Sequence, residues 1–138
     1  MTSPVVTDQI AEILEAAKTI AVVGLSNSPL RPSYGVAAYL QSHGYDIVPV
    51  NPTINGALGK KSCPSLKEVT AKVDIVDIFR RSDFVEPIVD EAIARGDVKC
   101  IWMQEDVVNE RAAEKARKAG IFVVMDRCIL KEHRRRHH

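Results

Sequence analysis

The sequence predicts an α/β domain built as a three-layer, Rossmann-like parallel sheet of about five strands with helices on both faces. Short β-branched apolar runs alternate with helical stretches of about ten to fifteen residues, as crossover-linked parallel strands require. With 138 residues and 46% apolar side chains, the chain can fill one core but not two, so residues 1–138 read as a single domain. Each strand is a short β-branched run followed by a helical stretch, the pattern of a parallel sheet covered by helices on both faces.

The elements follow in order. Residues 1–18 form a leading helix, with Thr7 as its cap and Ile10, Ile13, Leu14 and Ala17 recurring at helical spacing as a lid on the sheet flank. TIAVVG is the first strand. SYGVAAYLQSH is a helix stopped by Gly44, a residue that enters the left-handed region at little cost, and His43 sits at its end as a cap against the dipole. YDIVPV is the second strand. The passage NPTINGALGKKSCPS holds Pro52, Gly56, Gly59 and Pro64, so it reads as a loop with a short extended piece at residues 60–63. VDIVDIF is the third strand, followed by a helix capped by Ser82 and closed at Gly96. Pro87 falls near that helix's first turn, where a missing N–H does little harm. KCIWMQ is the fourth strand, NERAAEKARKAG a helix capped by Asn109 and closed at Gly120, and IFVVM the fifth strand. Residues 132–138, with Arg134, Arg135 and Arg136 together, read as a solvated, frayed basic end, and His137 and His138 as tag residues.

Composition excludes several function classes. Lys+Arg 19 against Asp+Glu 18 leaves no net field for nucleic acid or an acidic membrane. Cys63, Cys100 and Cys128 form no CxxC pair, which argues against a disulfide framework or a zinc knuckle. The start MTSPVVTDQI has no basic region leading into an apolar stretch, and no segment nears the roughly 18 apolar residues of a membrane span. The expectation is a soluble, cytoplasmic protein, and a homodimer is compatible with it.

The stretch TIAVVGLSNSPLRPSY sets a strand against Gly24, two serines, two prolines and Arg31 before a helix begins. Unpaired N–H groups in a first helical turn and the positive end of the helix dipole favour an anion there, and a nucleotide pyrophosphate suits it. In open parallel sheets ligands gather beyond the carboxyl ends of the strands. Those ends are Gly24-Leu25-Ser26, Val50-Asn51-Pro52, Phe79-Arg80 and Trp102-Met103-Gln104. They offer a glycine turn, small hydroxyls, cations at Arg31 and Arg80, and the flat apolar face of Phe79. Arg81 reads equally as a surface ion pair to Asp83 or Glu86. Trp102 reads as core, with Gln104 able to reach the cleft. A full GxGxxG is missing because Ser26 stands at the second glycine position, and the second strand ends in Asn51-Pro52 where a ribose-binding acid would stand, which disfavours ordinary NAD binding. Cys128, near Arg127 and Lys131, reads as structural. No catalytic constellation and no metal-ligand set is apparent.

The segments GLSNSPLRPSYGVAAYLQSHGYDIVPVNP, VDIVDIFRRS, IWMQ and AGIFVVMDRCILKEH together resemble the small stand-alone CoA-binding proteins, which are similar to the CoA-binding domain of the succinyl-CoA synthetase alpha chain. The resemblance spans roughly residues 19–133 and implies a Rossmann-like fold with coenzyme A lying across the strand ends. It implies the pyrophosphate at Gly24, Leu25, Ser26 and Asn27 with Arg31 as cation, and the adenosine end against Val50, Asn51 and Pro52. Lys60 or Lys61 would then lie near the 3′-phosphate, with the pantetheine passing Phe79 and Arg80. Relatives usually carry a glycine in a stretch like WxQxG, where this chain has Glu105-Asp106, and an aromatic residue is common where Cys63 stands. Two competing readings stay open: a small NAD(P)- or nucleotide-dependent enzyme using Cys128 or Arg80, and an interaction module using the basic tail.

Overall fold

A computed structural model describes residues 4–136. Five parallel strands, β1 (Thr19–Val23), β2 (Asp46–Val50), β5 (Ile75–Ile78), β6 (Cys100–Met103) and β7 (Phe122–Val124), form one sheet in the order β2-β1-β5-β6-β7. The hairpin strands β3 (Gly56–Ala57) and β4 (Lys60–Lys61) stand outside it as a separate antiparallel pair. The expected Rossmann-like α/β fold is therefore the one observed.

Alternate strand residues feed opposite layers, as the two-residue period of a strand dictates. Ala21, Val23, Val76, Ile78, Ile101, Met103 and Val123 face α3 (Val85–Arg95) and α4 (Glu110–Lys118), where Val85, Val89, Ala92, Ala112, Ala113 and Ala116 close the layer. Ile20, Val22, Ile47, Ile75, Cys100, Trp102 and Val124 face α1 (Pro4–Ala16), α2 (Pro32–Ser42) and α5 (Ile129–Arg136). Trp102 is fully buried, as expected, and donates through Nε1 to the Arg127 carbonyl at 2.9 Å. Tyr45 donates its hydroxyl to the Leu14 carbonyl, pinning α1 to the start of β2.

Three local readings change, and the extended piece at residues 60–63 gains detail. α1 begins at Pro4, so Thr7 lies inside the helix rather than at its cap. Ser82 does not cap α3: a 3-10 turn, Ser82–Phe84, comes first, and the hydroxyl instead accepts from the Val108 amide at 2.9 Å, tying the turn to the approach to α4. Asn109 does cap α4, accepting from the Ala112 amide at 3.0 Å. The extended piece at residues 60–63 is half hairpin and half edge, since Cys63 bridges to Val50 in parallel. Finally, residues 132–136 are not frayed but belong to α5. Glu132, buried there, accepts from Arg135 and Arg136 at 3.2 and 3.1 Å and pairs with Arg127 at 3.7 Å, while Ile129 and His133 face the core. One buried carboxylate thus gathers charge that composition alone would leave in water. His137 and His138 lie outside the described residues.

A cleft at the strand ends

β1 connects onward to β2 on one side and is flanked by β5 on the other, so the strand order reverses at β1, where open α/β sheets hold their ligands. Val23, Ile78 and Met103 are register partners across β1, β5 and β6, so the next residues, Gly24, Phe79 and Gln104, form one rung along the carboxyl edge. Three contiguous cavities follow that edge.

The first, about 490 Å³, lies between the turn after β1 and the start of α2 and is lined by Gly24, Ser26, Asn27, Arg31, Ser33, Asn51 and Phe79, among others. Gly24 has φ +87, and a Cβ there would sit 2.6 Å from the Phe79 carbonyl oxygen, so the glycine lets two strand ends close on each other. The loop beyond it is organised by its own hydroxyls. The Ser26 amide donates to Ser33 Oγ and the Ser28 amide to Ser26 Oγ, both at 3.0 Å. Each hydroxyl oxygen is thereby an acceptor from backbone, with its own proton left to donate. Among the described residues the main-chain amides of Leu25, Asn27 and Ser33 have no protein acceptor. Arg31 is exposed, in extended backbone just before α2, and Pro32 occupies the first helical position. The Leu25 side chain is fully buried, so only its backbone can meet a ligand.

Asn51 braces this loop. Its Nδ2 donates to the Leu25 carbonyl at 3.0 Å, and its Oδ1 accepts from the Thr53 amide and hydroxyl at 2.9 and 2.7 Å. Val50 and Pro52 line a smaller cavity of about 210 Å³, together with Val23, Leu66, Arg80 and Phe84 on the other face of the sheet. The Arg80 guanidinium lies 4.6 Å from the Phe84 ring centroid and has no carboxylate partner among the described residues, whereas Arg81 pairs with Asp83 at 3.8 Å. Lys60 stands apart from the others: its ammonium pairs at 3.2 Å with Asp46, at the opposite end of β2. The structure thus brings Gly24, Leu25, Ser26, Asn27, Arg31, Val50, Asn51, Pro52, Phe79 and Arg80 to one edge and leaves Lys60 outside.

The third cavity, about 480 Å³, shares Pro32 and Phe79 with the first and runs past Val36, Arg80, Gln104, Val107 and Cys128. Its far rim carries Glu105, which accepts from Lys131 at 2.8 Å and so raises that ammonium's pKa. Ser33, Thr53, Ile54, Val36 and Val107 line these cavities without having been singled out in the sequence. Ser33 was visible there as a hydroxyl opening a helix, while the apolar liners carry no signal that separates them from core. Below the rung, Asp77 is fully buried, with neither carboxyl oxygen bonded, and burial holds its pKa well above the usual carboxylate range. Burial, and secondarily the Asp77 charge, also push up the Cys100 thiol. Among the described residues no group of three His, Cys, Asp or Glu side chains could hold a metal ion, and no helix is long and apolar enough to cross a membrane.

Fold and cleft together define a doubly wound α/β domain with a polar, hydroxyl-rich pocket at its switch point. The chain matches the CoA binding domain family over residues 18–134 and belongs to it, which supports CoA binding in general. It is 46% identical over 125 residues to the uncharacterized protein YneT of Bacillus subtilis, covering 91% of this chain and 92% of that one. A hypothetical protein from Pyrococcus horikoshii OT3 superposes with a TM-score of 0.91 at 38% identity, covering 98% of this chain and 96% of that one. An ADP-forming acetate–CoA ligase of Archaeoglobus fulgidus is 26% identical over 117 residues, which is 77% of this chain but only 17% of the ligase.

Proposed function

We propose that this protein binds coenzyme A or an acyl-CoA across the carboxyl edge of its sheet, by recognition and without a catalytic step of its own. The observation that carries the reading is the cradle after β1. Unbonded amides of Asn27 and Ser33, the hydroxyls of Ser26 and Ser33 with their protons left to donate, and the exposed Arg31 line one cavity at the start of α2, beside the unbonded Leu25 amide. A diphosphate supplies the acceptor oxygens and the charge that this donor set lacks. The adenosine lies against Val50, Asn51 and Pro52, and the pantetheine crosses Phe79 and Arg80. Lys60 reaches a 3′-phosphate only by leaving Asp46, an exposed pair that costs little to part.

The test is a calorimetric and thermal-shift titration with CoA, dephospho-CoA and NAD. CoA raises the melting temperature, as a ligand of the folded state must, and Arg31→Ala weakens CoA by about 10- to 100-fold, the range for a charged hydrogen bond. Equal stabilisation by NAD and CoA refutes the assignment.

A further inference from the structure

The cavity beyond Phe79 contains a donor without an acceptor. Gln104 is 5% exposed and lines that cavity, and its Oε1 accepts from the Ile129 amide at 3.1 Å. That bond fixes which way the amide is turned, because only the oxygen can accept. The Nε2 group has no protein partner among the described residues, nor is it sealed away as the Asp77 oxygens are. The Nε2 group therefore faces the open cavity with its direction already fixed, where a ligand acceptor can take the place of water at no cost in reorienting the side chain. The surrounding Pro32, Val36, Phe79 and Val107 are apolar, which suits the arm of a long ligand better than a second charged group.

Position on the rung selects which acceptor. Gln104 is two strands from Gly24 at the same level, about 10 Å at a spacing of about 4.8 Å per strand. An extended covalent arm advances roughly 1.2 Å per bond. In coenzyme A, counting from the nearer phosphorus, the first amide carbonyl carbon is five bonds away and the second nine, or about 6 and 11 Å, while a thioester carbonyl falls at about 17 Å. Resting on the pyrophosphate assignment above, we infer that Gln104 is a ligand-binding residue whose Nε2 donates to the carbonyl of the second pantetheine amide, the one bearing the cysteamine.

The experiment compares Gln104→Met and Gln104→Glu with the unaltered protein in calorimetric titrations against CoA, acetyl-CoA and adenosine 3′,5′-bisphosphate, which has no pantetheine. The glutamate variant keeps an acceptor for the Ile129 amide but adds a charge, the methionine variant removes the donor without one, and agreement between the two isolates the donor; ligand-free melting curves verify that both variants fold. CoA and acetyl-CoA weaken alike, by about 3- to 10-fold, while the bisphosphate is unchanged. Unchanged affinity for CoA in both folded variants overturns the inference and leaves the cleft reading standing, as does a loss confined to acetyl-CoA, which would place the bond at the thioester. Failure of the unaltered protein to bind CoA at all overturns the cleft reading itself.

Discussion

Replacing Gly24 by alanine tests whether the strand ends meet as closely as the cleft requires. Two costs combine at this position. At φ +87 a side chain pays roughly 1–2 kcal/mol for a left-handed conformation. The added Cβ would also stand 2.6 Å from the Phe79 carbonyl oxygen and 3.1 Å from Arg80 Cδ. The arginine stem can swing aside, but the Phe79 backbone is held by its amide's 2.8 Å bond to the Val23 carbonyl. Forcing the two apart is overpacking, worth about 1–3 kcal/mol. The sum is about 2–5 kcal/mol, or a fall in melting temperature of roughly 6–25 °C for a chain of this size. Gly120→Ala is the matched control: its φ is +83 and nothing lies within 4 Å of the added carbon, so only the conformational cost applies. Urea unfolding followed by circular dichroism gives both free energies. Equal destabilisation by the two substitutions would refute the close approach of β1 to β5.

Other consequences are open to measurement. Arg95 donates from Nη1 to the Leu66 and Val69 carbonyls, from Nη2 to the Ala71 carbonyl, and through its fork to Asp97, so Arg95→Ala should cost about 2–4 kcal/mol and Arg95→Lys should recover little of it, read by urea unfolding. Asp77 folds with its proton held while the unfolded carboxyl releases it, so stability falls by about 1.4 kcal/mol per pH unit above the unfolded group's range, until the folded group ionises. Asp77→Asn removes that slope, and unfolding curves at pH 5, 6 and 7 that run parallel for variant and parent would contradict it.

What the sequence makes legible here is what depends on local pattern. The strands and four of the helices, α1 to α4, follow from period and punctuation, and the β1 turn follows because glycine, serines and prolines crowd between a strand and a helix. The missed features depend on distant partners. Ser82 has the chemistry of a cap but is taken by the Val108 amide, 26 positions on, which no local rule reports. α5 looked like a charged tail because mean polarity hides Glu132, whose burial lets arginines on both sides converge on it. Lys60 sits within the loop that follows the binding edge, yet the β3–β4 hairpin turns it back towards Asp46.

α5 and the loop before it matter to the cleft for a reason that the Glu105-Asp106 departure brings out. Asp106 takes a left-handed conformation at φ +69, with its amide donating to Asp126 Oδ1 at 2.7 Å. Aspartate tolerates that region better than most residues, and the bend is held by the Asp126 side chain. Asp126 opens the segment that runs through Cys128, on the cavity wall, to Ile129, whose amide orients Gln104, and to Lys131, which grips Glu105. The far end of the cleft is therefore shaped by the segment after β7, and the chemistry available there is set by how α5 packs as much as by the strand ends themselves.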